Sequence, residues 1–229
     1  MINFLRNLRR NNMKNSKYIT YSIGEIVLVV IGILIALSIN NWNENRKENK
    51  NEQLLLEKLQ TEHGYNLDIL TSDTSYIFGI TESISAVYLN LKEQNEDSDS
   101  IIAERINDVL RITLFEFSTE YLDRYINSSK VTNDELVTEF IELKELYSSL
   151  DLSSKLTYDY KMNKIIGWVE ESLDFYNAEI EDVNLLRNKV FINRLIILES
   201  IEYGRLENFK ESIKKAMKVD SLLATRLSE

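Results

Sequence analysis

A chain of 229 residues with a formal charge of −10, one His, no Cys and no Pro lacks much of the equipment from which catalytic and metal sites are built. Zero Cys excludes disulfides, thiolate zinc sites, iron–sulfur ligation and thiol catalysis, and a single His excludes the two-histidine zinc motifs in their usual form. Pro is barred from helix interiors by its missing N–H and its clash with the preceding turn, so its absence, together with only 6 Gly and 44% hydrophobic residues, points to long helices joined by few polar connections.

Residues 1–17 hold Arg6, Arg9, Arg10, Lys14 and Lys17 and no acidic residue, against a strongly acidic remainder. Such a tail without a folded reader would bind nucleic acid only weakly and salt-sensitively, so nucleic acid is not an expected partner. Residues 18–39 read YITYSIGEIVLVVIGILIALSI, 22 residues whose only charge is Glu25. As a helix they would extend roughly 33 Å, enough for a hydrocarbon core of about 30 Å. Tyr18, Tyr21 and Trp42 suit the two interfaces. The basic tail precedes the span, whereas Arg46, Lys47 and Lys50 beyond it alternate with Glu44, Glu48 and Glu52. The positive-inside rule therefore keeps the N-terminus in the cytoplasm and translocates the rest. A cleaved signal peptide ending near Ala36-Leu37-Ser38 is the rival reading. The long basic region, the long apolar run and its carboxylate argue against it. The expected organisation is a cytoplasmic tail at 1–17, a transmembrane helix at 18–42 and an extracytoplasmic helical domain at 43–229, with a stalk at about 43–55.

Beyond the stalk, apolar spacing predicts helices. The first stripe is Leu56, Leu59, His63, Asn66 and Leu70, widened by Leu55 and Leu67. Residues 92–100, KEQNEDSDS, have no apolar member and read as a solvated loop; they also lack the ligand order of an EF-hand. Short helices are expected at 101–111 and 117–126, with a turn at 127–130. Thr132 and Glu135 form a capping-box pair ahead of a stripe through Leu136, Phe140, Leu143, Tyr147 and Leu150. A further helix is predicted through Met162, Ile165, Val169, Leu173, Tyr176, Ile180 and Val183, and a last one through Leu206, Phe209, Ile213, Ala216, Asp220 and Leu223. The pattern loses phase at 184–193, and Gly204 reads as a break or a close packing point. No stretch of period 2 of any length appears. The fold class is all-α: one N-terminal membrane helix, a stalk and an antiparallel bundle.

Enzyme templates fail on residue supply. His63 is the only histidine, so a Ser-His-Asp triad has one candidate base and no G-x-S-x-G elbow, and a di-iron bundle lacks its Glu-x-x-His pairs. Phosphate-loop and dinucleotide motifs are absent. His63 lies on the apolar stripe and reads as a core histidine satisfied by a carboxylate or carbonyl, with pH sensing as the alternative. Tyrosines such as Tyr147 and Tyr176 read as core packing. No catalysis, metal or cofactor is expected.

The span itself carries the candidate site. At 100° per residue, Tyr21, Glu25, Gly32, Ala36, Asn40 and Asn43 fall near one line of the helix, opposite Ile23, Val27, Val30, Leu34 and Leu37. Gly32-x-x-x-Ala36 permits close helix approach, and an intramembrane carboxylate points to a partner. The alternative is Glu25 snorkelling to headgroups beside coincidental small residues.

The string YITYSIGEIVLVVIGILIALSINNWNE at 18–44 resembles the opening of an uncharacterised family of single-pass membrane proteins common in Bacteroidota. The stretch 119–150, with Tyr121-Leu122, Ser128-Ser129 and Asn133-Asp134-Glu135-Leu136, resembles a later segment of that family, which usually has Gly where this chain has Ser129-Lys130. The resemblance implies a topology and an envelope location, and the family has no assigned activity to carry over. The expected role is a scaffold or accessory subunit of the bacterial inner membrane, with its C-terminal domain in the periplasm, lipid around its span and itself or another membrane protein as partner. The alternative is a periplasmic sensor or proton-coupled auxiliary subunit.

Overall fold

The computed structural model of the chain describes residues 2–93, 97–128, 135–177 and 179–228, with side chains from residue 21. Two compact units emerge, Met1–Leu54 and Leu55–Glu229. Among the described residues the fold is all-α apart from one hairpin of two-residue strands.

The first unit is the N-terminal part of α1 (Ile2–Glu93). No Pro or capping signal interrupts it, and the basic tail continues into the apolar stretch without a break. From Ile23 to Ile39 every large apolar side chain is 46–71% exposed. Among the described residues there is one helix long and apolar enough to cross a membrane, and this is it.

The second unit is built on three long runs. α1 supplies a stripe from Leu56 through Leu59, His63, Asn66 and Leu70 to Ile77, Ile80, Ile84, Val87 and Leu91, all buried. α4 (Glu135–Tyr160) supplies Leu136, Phe140, Leu143, Tyr147 and Leu150. α7 (Lys189–Ser228) supplies Phe191, Leu195, Leu198, Phe209, Ala216, Val219 and Leu223. Cross-contacts fix their directions. His63 meets Ala216 and Ser85 meets Glu199, so α1 and α7 are antiparallel. Glu139 pairs with Lys218 while Tyr160 reaches the Arg194 carbonyl, so α4 and α7 are antiparallel too.

The fourth position is filled by a broken segment running back along α1. It comprises α2 (Ser98–Val109), an irregular stretch at 110–119 and α3 (Glu120–Ile126). Ser83 donates to Asp108 at the end of α2, and two α1 side chains hold the far end of the segment. Asn66 accepts from the Ser118 N–H at 2.9 Å and donates to the Ser118 carbonyl at 2.6 Å. The buried Glu62 carboxylate accepts from the Ser118 hydroxyl and from the backbone N–H groups of Tyr121 and Leu122 at 2.9–3.0 Å. Glu62 thus performs from another helix the capping that Thr119 does not supply, satisfying N–H groups that have no partner within α3.

Several expectations need correction. The stripe drawn through Tyr176 to Val183 is not a helix. α4 passes into a π-helical turn at Lys161–Ile165 and α5 (Ile166–Glu170), and the chain then forms a hairpin, β1 (Leu173–Asp174) with β2 (Glu179–Ile180). Asp174 holds that turn, accepting from Tyr176 and Asn177 N–H groups. Tyr176 is 95% exposed, so core packing does not explain it, although Tyr147 is buried as expected. α6 (Val183–Leu186) follows, capped by Asp182. α7 begins at Lys189 and runs through Gly204, which neither breaks it nor packs closely. Its buried line passes through Ser212 and Val219, leaving Asp220 exposed. In the 92–100 stretch, Lys92 and Glu93 end α1 while Ser98 opens α2 and is buried; residues 94–96 lie outside the described residues. So do Thr132 of the capping box and Ser129-Lys130 of the turn.

The Asn66 clamp should have a measurable weight. Asn66→Ala leaves the Ser118 N–H and carbonyl unpaired in a part-buried site, and should lower the stability of the full chain in detergent by about 1–3 kcal/mol in urea melts followed by circular dichroism. An unchanged midpoint would show that the clamp contributes nothing.

Candidate functional site: a charged layer in the bundle core

The buried lines of α4 and α7 do not stay apolar. On α4, Leu150 is followed in phase by Ser154 and Thr157, and then by Lys161 at the start of the π-helical turn; on α7, Leu198 is followed by Glu202 and Arg205 before Phe209. The side chains of Lys161 and Glu202 have no solvent exposure and Arg205 has 3%. Lys161 Nζ lies 2.7 Å from Glu202 Oε1 and donates to the Arg111 carbonyl at 2.6 Å. Arg205 Nη1 lies 2.6 Å from Glu202 Oε2, and its Nη2 donates to Thr113 Oγ1 and, at 3.3 Å, to Ser154 Oγ. The Arg205 guanidinium also sits 5.8 Å from the Phe115 ring centre. Half-buried Asp73 occupies the α1 position between Leu70 and Ile77.

Two buried cations share one buried anion. Burial pushes the Lys161 ammonium below its ordinary pKa, and Glu202 pulls it back up. Burial raises the Asp73 carboxyl, and the Arg205 charge offsets part of that rise. The layer separates two apolar clusters. One contains Leu56 to Ile77 of α1 with Phe140, Leu143, Phe209 and Val219; the other contains Ile80 to Leu91 with Ile102, Ile106, Ile165, Leu195 and Leu198. Its charges face one another and a backbone carbonyl, so this is an internal electrostatic joint rather than an open site. Among the described residues, no group of three or more His, Asp or Glu side chains is placed to hold a metal ion.

Apolar spacing alone does not single out the layer, yet the layer leaves a signal in the sequence. Leu195, Leu198, Glu202, Arg205, Phe209, Ser212, Ala216, Val219 and Leu223 alternate steps of three and four, so the two charges occupy core positions of a heptad. Lys161 keeps the same rhythm from Leu136 onward. The π-helical turn that follows adds one residue, so Ile165 and Val169 are buried while Lys164 is exposed.

The residues singled out in the span, Tyr21, Glu25, Gly32, Ala36, Asn40 and Asn43, are all exposed on α1. Asn40 donates to Glu44 at 2.9 Å, and a Cβ at Gly32 would meet open space. The Arg46 guanidinium lies 6.0 Å from the Trp42 ring centre. His63 is buried in the second unit, its Nε2–H donating to the Ala216 carbonyl at 2.9 Å and its ring edge-on to Phe140. This is the carbonyl-satisfied core histidine read from the stripe.

Two outcomes follow from these environments. Glu202→Gln strands two buried cations and should cost about 3–5 kcal/mol in urea melts of the full chain, well beyond the exposed pair variant Lys155→Met; equal effects would show that the layer is hydrated and cheap to disrupt. Burial lowers the His63 pKa below the unfolded value of 6.5, outweighing the Ala216 bond and the Asp220 charge. The unfolded chain then binds the proton more readily, so stability is full above that value and is lost as pH falls from it towards the folded pKa. Melting temperature should therefore drop between about pH 7 and 5, and His63→Gln should flatten that drop; an identical slope would exclude His63 as its source.

No curated protein and no solved structure matches the chain significantly. A family model, "Family of unknown function (DUF6090)", matches residues 25–201, a range that opens at Glu25 in the span and takes in every member of the charged layer except Glu202 and Arg205. With most of its length matched, the chain belongs to the family of unknown function DUF6090.

Proposed function

We propose that this protein is a single-pass scaffold or accessory subunit of the bacterial inner membrane, with its N-terminus in the cytoplasm and its helical domain in the periplasm, acting without catalysis of its own. The observation that carries the reading is the exposed apolar surface of α1 from Ile23 to Ile39, in a chain whose other unit buries its own stripes. Burial is worth about 25 cal/mol per Å² of apolar surface, so such a helix is driven into lipid. A signal sequence near the N-terminus would share its length and apolarity; the unbroken helix through Asn40 and beyond favours an anchor. Within the span, the face of Glu25, Gly32 and Ala36 is the surface assigned to self-association or to another membrane protein.

The charged layer supports a second reading, a sensor or auxiliary subunit, since buried ionic groups are suited to register and switch roles.

Topology is tested by a periplasm-dependent reporter at the C-terminus, which should be active while the mature protein retains Met1; activity of a cytoplasmic reporter, or an N-terminus near Ile39, would overturn the anchor. The interaction face is tested by crosslinking single Cys variants, clean because the chain has no Cys. Position 32 should crosslink well and position 30 poorly, and Gly32→Ile should disrupt assembly by holding the backbones apart. Equal yields at the two positions would refute the face.

A further inference from the structure

Every segment of the second unit is weakened at the level of the charged layer. In α1, Gly79 lies between Ile77, the last residue of the first apolar cluster, and Ile80, the first of the second. The returning segment is irregular at 110–119. The α4–α5 run carries its π-helical turn at Lys161–Ile165. In α7, Gly204 lies between Glu202 and Arg205. Gly costs a helix interior about 0.5–1 kcal/mol relative to Ala, and π-helical turns are rare inside helices and concentrate at functional sites. Four weak points at one level, with the core's buried charges between them, form a single arrangement.

We propose that the charged layer is a joint that divides the domain into two separately opening halves. When the half containing Ile84, Ile106, Ile165 and Leu198 opens, its apolar side chains meet water at a cost, but Lys161, Glu202 and Arg205 regain hydration that folding had removed. Ionic hydration is large compared with the net worth of a buried pair, so opening up to the layer is partly compensated. Opening past it, into the cluster of Leu143, Phe209 and Val219, exposes apolar surface for a smaller return, since the buried charges released there are the carboxylates of Glu62 and Glu139, the latter already paired with partly exposed lysines. Unfolding that starts in the first of these halves therefore halts at the layer. That half is also assembled from short pieces, with α5 of 5 residues, α6 of 4 and two-residue strands, so it is the one that opens first. Sub-global opening units of this kind are the usual source of moving parts.

Hydrogen exchange of the full chain in detergent micelles tests the joint, with Leu143→Ala as the decisive variant. Leu143 belongs to the half that opens only in global unfolding. Its truncation should accelerate exchange at least tenfold for amides of 136–150 and 206–223, and leave those of α2, α5 and 190–199 within twofold. Equal acceleration of both groups would mean one cooperative unit and would overturn the proposal. Should Leu143→Ala fail to fold, Val219→Ala, in the same cluster, makes the same comparison with a several-fold effect. A second arm replaces the layer with apolar side chains of similar size, Lys161→Met, Glu202→Leu and Arg205→Met together. In that background the halves should merge, so that the same core truncation accelerates both groups. Two groups that remain separate would show that the charges are not what divides them.

Discussion

The second unit depends on how Glu202 is shared. Its two carboxylate oxygens face different cations on different sides, Oε1 towards Lys161 and Oε2 towards Arg205, and each cation also engages a third element, through the Arg111 carbonyl and Thr113. One side chain on α7 thereby sets the longitudinal position of α4 and of the returning segment. An apolar contact tolerates sliding by a fraction of a turn, whereas a buried charge pair does not, because a small misalignment leaves desolvated ions without compensation. Register along the bundle is therefore specified at this level, and the apolar clusters on either side are free to optimise packing alone.

Polar side chains of α1 play the complementary role. Glu62, Asn66 and Ser83 each contact the broken segment between α1 and α4. That segment has too little helix of its own to be held by a continuous stripe: α3 has 7 residues, and ten more at 110–119 are irregular. Its backbone groups are satisfied by side chains from the long helix beside it, while Phe115 and Phe117 reach Phe209 and Tyr147. The result is a four-position bundle in which one position is threaded through by attachment.

How far this was legible in the residues varies with the physics involved. The stripes through Leu56–Leu70 and Leu136–Leu150 are read correctly because long amphipathic helices repeat one signal many times. The stripe carried on to Val183 fails because Leu173 and Ile180 are buried or half-buried as cross-strand partners, and short elements at a helix end can imitate helical spacing for two further turns. What redirects the chain there is Asp174 and its turn, a local hydrogen-bonding effect that apolar periodicity does not register. Around Glu202 the buried apolar residues thin out, although the rhythm of three and four persists through the charges. His63 and Asn66 were placed correctly by that rhythm; Glu202, Arg205 and Lys161 follow it equally well, and only their charge hides them. The role of Glu62 depends on a fold partner 60 positions away in sequence, which no local pattern contains.

The π-helical turn at Lys161–Ile165 has a consequence for how the chain tolerates insertions and deletions. A wide turn accommodates one residue more than an α-helix over the same rise, and all that follows is rotated by about 100° relative to an uninterrupted helix. That rotation brings Trp168 to stack on Phe191 at 5.8 Å and lets Arg194 reach the Lys164 carbonyl at 2.9 Å. Losing a single residue here would convert the turn to ordinary α-helix and leave Ile165 and Val169 facing the core, whereas tightening the turn without losing a residue would swing α5 and the hairpin around the axis and exchange Ile165 for Lys164. The reading frame of the helix, rather than its stability, is what this segment stores.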